Sequence, residues 1–126
     1  MNLLLDTHVF LWWDSASAEL GKTAAQAIAN PANRVFVSAA VVWEIAIKRQ
    51  IGRLAYAGSP GVAIEANGFT SLPIDAIQAE AAGALPPLHQ DPFDRILIAQ
   101  ALERNLMLVT ADDKIRRYSV AVLWAR

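Results

Sequence analysis

Apolar and polar positions fall into short blocks along the chain, and the blocks set out its elements. Residues 2–5 (NLLL) are an apolar run closed by Asp6, the pattern of a buried strand. THVFLWW (7–13) reads as a short helix or turn. Residues 19–29 predict a helix stopped by Asn30-Pro31. RVFVS (34–38) is rich in β-branched and aromatic residues and predicts a second strand. AAVVWEIAIKRQ (39–50) predicts a helix closed near Gly52. Residues 59–67 predict another, with Ser59 as cap, Pro60 at the first position and Gly68 beyond its end. FTSLPI carries a short third strand, and 75–84 a helix ended by Pro86-Pro87. A further helix covers 92–104, LMLVT (106–110) is a fourth strand, ADDKIRRY makes one or two helical turns, and VAVLWA is a fifth strand. No repeat, low-complexity tract or interdomain linker interrupts the pattern.

Strands alternating with helices predict an α/β fold: a mostly parallel five-stranded sheet with helices on both faces. Ligands of such sheets bind beyond the carboxyl ends of the strands. The residues that follow the strands are therefore informative. Asp6 follows the first, Ser38 ends the second, and Thr110 and Asp112 follow the fourth, so all four belong to one edge.

Composition narrows the chemistry. A chain of 126 residues fits one domain, 1–126, with a core that needs no staples. With no cysteine, disulfides and thiolate metal sites are excluded. His8 and His89 are too few for a structural zinc site, so a metal is expected on oxygen ligands, which points to Mg²⁺ or Mn²⁺. A net charge of −1 and a pI near 6.1 exclude coating of nucleic acid by bulk charge. They leave room for a nuclease with an acidic centre and a local basic rim. The apolar fraction of 55% exceeds the usual ~45–50%. A face covered by a partner or second copy would account for the surplus. MNLLLD has no leader-like basic region, and no apolar run approaches the ~18 residues of a membrane span, so a soluble cytoplasmic protein is expected.

Four acids stand out. Asp91-Pro92-Phe93-Asp94 can be a helix start, with Asp91 as cap. Yet Leu97, Ile98 and Ala101 share the face of Asp94, which places it on the inward side of its helix. Glu44 lies in the middle of an apolar helix; an i,i+4 pair with Lys48 is one explanation, an inward-facing ligand another. Asp6 and Asp112 can cap the turns that follow them, but they also sit at the ligand edge of the sheet. The remaining acids, Asp14, Glu19, Glu65, Asp75, Glu80 and Glu103, read as solvated or capping. If Asp6, Glu44, Asp94 and Asp112 converge, their mutual repulsion calls for a divalent cation. Such a centre suits hydrolysis of a phosphodiester by metal-activated water.

These residues also carry a resemblance. LLLDTHVFLWW at the start, SAAVVWEIAIKRQIGRL at 38–54, HQDPFDRILIAQA at 89–101 and LVTADDKI at 108–115 resemble the PIN-domain ribonucleases, and among them the VapC-like toxins of type II toxin–antitoxin systems. The resemblance implies a three-layer α/β/α sandwich. It implies that Asp6, Glu44, Asp94 and Asp112 bind Mg²⁺ or Mn²⁺, with Thr7, Ser38 and Thr110 as supporting hydroxyls. It makes Asp91 an extra acid, Asp113 an assistant to Asp112, and Arg95 a basic position after the third acid. It further implies an RNA substrate, a homodimer, and a cognate antitoxin whose C-terminal segment blocks the cleft.

Two basic clusters flank these positions: Lys48, Arg49 and Arg53 after Glu44, and Lys114, Arg116 and Arg117 after Asp112. Each can contact RNA phosphates or be a solvated helix face. A histidine base at His8 or His89 is unnecessary where metals act. Trp43 is expected in the core, and one of Trp12 and Trp13 near the surface, where it can line a partner groove. Two other classes compete. Phosphotransfer through an aspartyl phosphate would want a second acid beside Asp6, where Thr7 and His8 stand. A non-catalytic binding module would not need all four acids.

Overall fold

The computed structural model describes residues 1–126. Its elements are β1 (Asn2–Leu5), α1 (Thr7–Asp14), α2 (Lys22–Ala29), β2 (Arg34–Ser38), α3 (Ala39–Gln50), α4 (Pro60–Ala66), β3 (Thr70–Leu72), α5 (Ala76–Ala84), α6 (Pro92–Arg104), β4 (Met107–Thr110) and β5 (Val122–Trp124), with a 3₁₀ turn at Ile115–Arg117. All strands are parallel and lie in the order β3-β2-β1-β4-β5. The result is the expected α/β/α sandwich.

The central strands are apolar on both faces because helices cover both. Leu3, Leu4 and Leu5 of β1 and Leu108 and Val109 of β4 are fully buried. Leu4 sits between Phe36 of β2 and Leu108 of β4 in the register. Strand order reverses between β1 and β4. This is the switch point at which a parallel sheet opens a crevice beyond its carboxyl ends.

Caps fix where the helices begin. Asp6, Ser38, Ser59, Asp75 and Asp91 each accept a backbone N–H of the first turn of α1, α3, α4, α5 and α6. Asp75 and Gln78 complete a capping box. α6 ends at Asn105, whose left-handed φ of 54° lets its N–H reach Ala101. Gly21 permits a close approach: a Cβ there would lie 2.8 Å from the backbone carbon of Arg126.

One expectation is overturned. Trp43 is 61% exposed, not in the core. α3 is apolar nearly all round, so its pattern does not mark an inner face. The buried side carries Ala40, Val41, Glu44 and Ile45, which leaves Trp43, Ile47 and Ile51 as an exposed stripe at i, i+4, i+8. Trp43 packs edge-on against Phe93, with ring centroids 5.4 Å apart. Trp12 and Trp13 are both half-buried, and the Trp13 indole donates to Asn67. Residues 19–21, expected in a helix, precede α2 instead.

Leu4→Ala should destabilise the chain by about 2–5 kcal/mol, since the pocket between two paired strands cannot collapse. Urea unfolding followed by circular dichroism measures it; a loss below about 1 kcal/mol would mean the centre of the sheet is loosely packed.

Candidate active site

Asp6, Glu44, Asp94 and Asp112 line one polar cavity of about 110 Å³ beyond the carboxyl ends of β1 and β4, together with Thr7, His8, Lys48, His89 and Asp91. Each acid comes from a different part of the chain. Asp6 caps α1, with Oδ1 accepting from the Val9 N–H at 2.9 Å and Oδ2 from the Thr110 hydroxyl at 2.5 Å. Glu44 projects from the second turn of α3. Its Oε1 accepts from the Thr7 hydroxyl and its Oε2 from the Lys48 ammonium, both at 2.5 Å. Asp94 stands on the first turn of α6, aimed by Asp91, which accepts the N–H groups of Phe93 and Asp94. Asp112 follows β4, with its N–H donated to Thr110 Oγ1 and its Oδ1 accepting from the Lys114 N–H.

His89 joins them. Its Nε2 lies 2.7 Å from Asp94 Oδ2 and 3.3 Å from Asp112 Oδ2. His89, Asp94 and Asp112 offer three donor atoms within 4.8 Å of one another. A buried imidazole nitrogen thus stands against two of the four acids expected as oxygen ligands. Sequence pattern did not mark this placement. His89 lies in a loop, outside any periodic element, and only its place five residues before Asp94 hinted at it.

Arg95 explains how the loop is held. Its guanidinium donates to the carbonyls of Ala82, Gly83, Leu85, Pro86 and His89 at 2.7–3.3 Å. The Tyr118 hydroxyl accepts the His89 N–H and donates to the Pro86 carbonyl. Arg95 thus fastens the loop 85–89 to α6 and fixes His89 against Asp94. Its donors serve carbonyls, not the acids.

The other predicted positions divide. Thr7 and Thr110 bond directly to Glu44 and Asp6. Ser38 is buried and caps α3 through the Ala40 N–H. The Asp113 side chain is 83% exposed and lies 3.7 Å from Arg116. Of the basic groups, Lys48 pairs with Glu44, Arg49 donates to the Tyr56 and Gly58 carbonyls, and Arg53 is exposed. Arg116 stacks over Trp124 at 3.7 Å, while Lys114 and Arg117 line a cleft beside the acids.

Burial shapes the electrostatics. The Asp94 carboxyl is pushed up from 3.8 to about 7, by burial first and then by the charge of Asp91, against the hydrogen bond to His89. Burial also raises Asp6, against its bonds from Thr110 and Val9. A carboxyl raised in the folded state favours the fold when protonated. Its contribution is complete below the unfolded value near 4 and is lost as pH rises through about 7. In EDTA, the thermal midpoint should fall between about pH 4 and about pH 7, and Asp94→Asn should flatten that fall. Melting curves across this range check it; an equally steep fall in the variant would show that Asp94 is not the group responsible.

The family model for the PIN domain matches residues 3–121. The chain is 32% identical over 120 residues to ribonuclease VapC22 of Mycobacterium tuberculosis (strain ATCC 25618 / H37Rv), covering 93% of this chain and 92% of that relative. In structure it is similar to VapBC2 from Rickettsia felis bound to a DNA fragment from the promoter, with TM-score 0.73 at 13% identity over all of both chains. It is also similar to a toxin–antitoxin complex from Klebsiella pneumoniae, with TM-score 0.67 at 22% identity over 96% of this chain and 95% of that one. Four acids at the switch point of a β3-β2-β1-β4-β5 parallel sheet, the family match and the relative agree: the chain belongs to the PIN-domain family, within its VapC-like group.

Proposed function

We propose that the chain is a metal-dependent endoribonuclease, the toxin of a toxin–antitoxin pair, which hydrolyses RNA phosphodiester bonds. The observation that carries this reading is the convergence of Asp6, Glu44, Asp94 and Asp112 on one cavity. The similarity to a ribonuclease over nearly the whole chain supports RNA as the substrate.

The donor set fits a hard divalent cation. Four carboxylates face a small cavity whose neighbouring ammonium, Lys48, is already paired with Glu44. Oxygen-rich sites of this kind suit Mg²⁺, with Mn²⁺ as a substitute. Asp6, Glu44, Asp94 and Asp112 would hold it, with His89 against Asp94 and Asp112. When bound, the cation supplies Lewis acidity toward the phosphodiester and activates water as the nucleophile. The chain's own part is orientation. Thr110 and Val9 fix Asp6, Thr7 and Lys48 fix Glu44, and Asp91 and His89 fix Asp94. Asp113 assists from the rim.

Partners follow from the same likeness. Solved relatives are toxin–antitoxin complexes, which supports a cognate antitoxin that covers the cleft and inhibits the enzyme. The stripe of Trp43, Ile47 and Ile51, exposed by 61%, 37% and 60%, is the face on which two copies would pair as a homodimer. No helix is long and apolar enough to cross a membrane, which is consistent with work in the cytoplasm.

Purified protein should cleave RNA with Mg²⁺ or Mn²⁺ and not with EDTA, and Asp94→Asn should lower the rate by about 100-fold or more. Gel analysis of cleaved RNA measures both, and cleavage surviving EDTA and the substitution would defeat the proposal. Trp43→Glu should turn the dimer into a folded monomer by light scattering; a native chain that is already monomeric would remove the homodimer.

A further inference from the structure

Beside the acid cavity opens a wider cleft of about 550 Å³, which shares Asp6, His8 and Asp112 with it. Its chemistry is different. The indole of Trp12 forms part of the wall, with the His8 ring 6.1 Å away and the Arg126 guanidinium, itself ion-paired with Glu19, lying over the indole at 5.2 Å from its centroid. Lys114 and Arg117 line the same cleft, exposed and without an ion-pair partner. On the other flank two of the three cations are committed and only Arg53 is free. Lys48 is bonded to Glu44, and Arg49 to two loop carbonyls.

We infer that this cleft is a subsite for one unpaired nucleotide next to the scissile phosphate, and that the RNA strand crosses the Trp12–Arg117 side of the acids. The inference rests on the ribonuclease reading and adds the side and the platform. The indole edge and the guanidinium that covers its face offer flat surfaces to an unstacked base, because every base presents a π-face to an indole or guanidinium plane. Lys114 and Arg117 supply the phosphate contacts that the acidic centre cannot make. A base inside a duplex is already stacked on its neighbours and cannot enter, so the cleft selects single strands or loops. Arg126 could not be assigned from the sequence, since 114 residues separate it from Trp12. The close passage of the C-terminal segment over Gly21 brings it there.

The test is binding of a fluorescein-labelled, mixed-sequence RNA single strand of about 12 nucleotides, followed by anisotropy in Ca²⁺, with the matching duplex as comparison. The single strand should bind more tightly than the duplex. Trp12→Ala should weaken it about tenfold, and Trp12→Phe, which keeps a stacking ring, by no more than about twofold. Lys114→Ala and Arg117→Ala should each lower the salt slope by about 0.7, and Arg53→Glu should change nothing. The proposal is overturned if the native chain does not bind the strand, if Trp12→Ala binds like the native chain, or if the duplex binds equally well. It is also overturned if Arg53→Glu weakens binding as much as Arg117→Ala, which would put the strand on the other flank. Insensitivity to every cleft substitution would leave the cleft to a protein partner instead. A chain that binds through the cleft but cleaves no RNA in Mg²⁺ would defeat the nuclease reading alone. Cleavage with a KM unmoved by Trp12→Ala would defeat the subsite alone.

Discussion

Asp6, Glu44 and Asp94 are carboxylates withdrawn from water around one small cavity, and each must offset that withdrawal locally. Asp6 does so with a hydroxyl and a helix N–H, Glu44 with a hydroxyl and an ammonium, and Asp94 with an imidazole. These bonds join β1 to β4, α1 to α3, and the loop 85–89 to α6. The polar cluster therefore ties together, above the apolar sheet, elements that come from distant parts of the chain. The raised Asp94 carboxyl shows that the compensation is incomplete, as expected where like charges converge.

How much of this could be read from the sequence depended on whether a residue sat inside a regular pattern. β2 and α3 begin and end where RVFVS and AAVVWEIAIKRQ do, because a β-branched run gives way to a serine cap and a long apolar helix. The inward face of Asp94 was legible because Leu97, Ile98 and Ala101 mark the buried side of α6. Trp43 was not legible, because a helix apolar on every side does not say which side is buried. His89 was not, because its position depends on five carbonyls gathered by Arg95, a tertiary arrangement with no local signature. The cleft wall combines α1 with the C-terminal residue, a juxtaposition that only the fold creates.

The two sides of the acidic centre are unequal. On the α3 side, Lys48 and Arg49 are committed to internal bonds that hold Glu44 and the loop after the helix, and only Arg53 is exposed and unpaired. On the side after β4, two remain free beside an aromatic wall. A basic cluster in a sequence thus says little about its use. Lys48 and Lys114 each lie four or fewer residues from a cavity acid, yet one neutralises its acid and the other faces solvent.

The bond from Thr110 to Asp6 joins positions 104 residues apart. Until β4 docks beside β1, Asp6 has neither the hydroxyl that holds it nor Asp112 across the cavity. On the nuclease reading, a chain in which only β1, β2 and β3 have paired carries the acids but no cutting centre, and the long-range pairing of β1 with β4 is the step that assembles it.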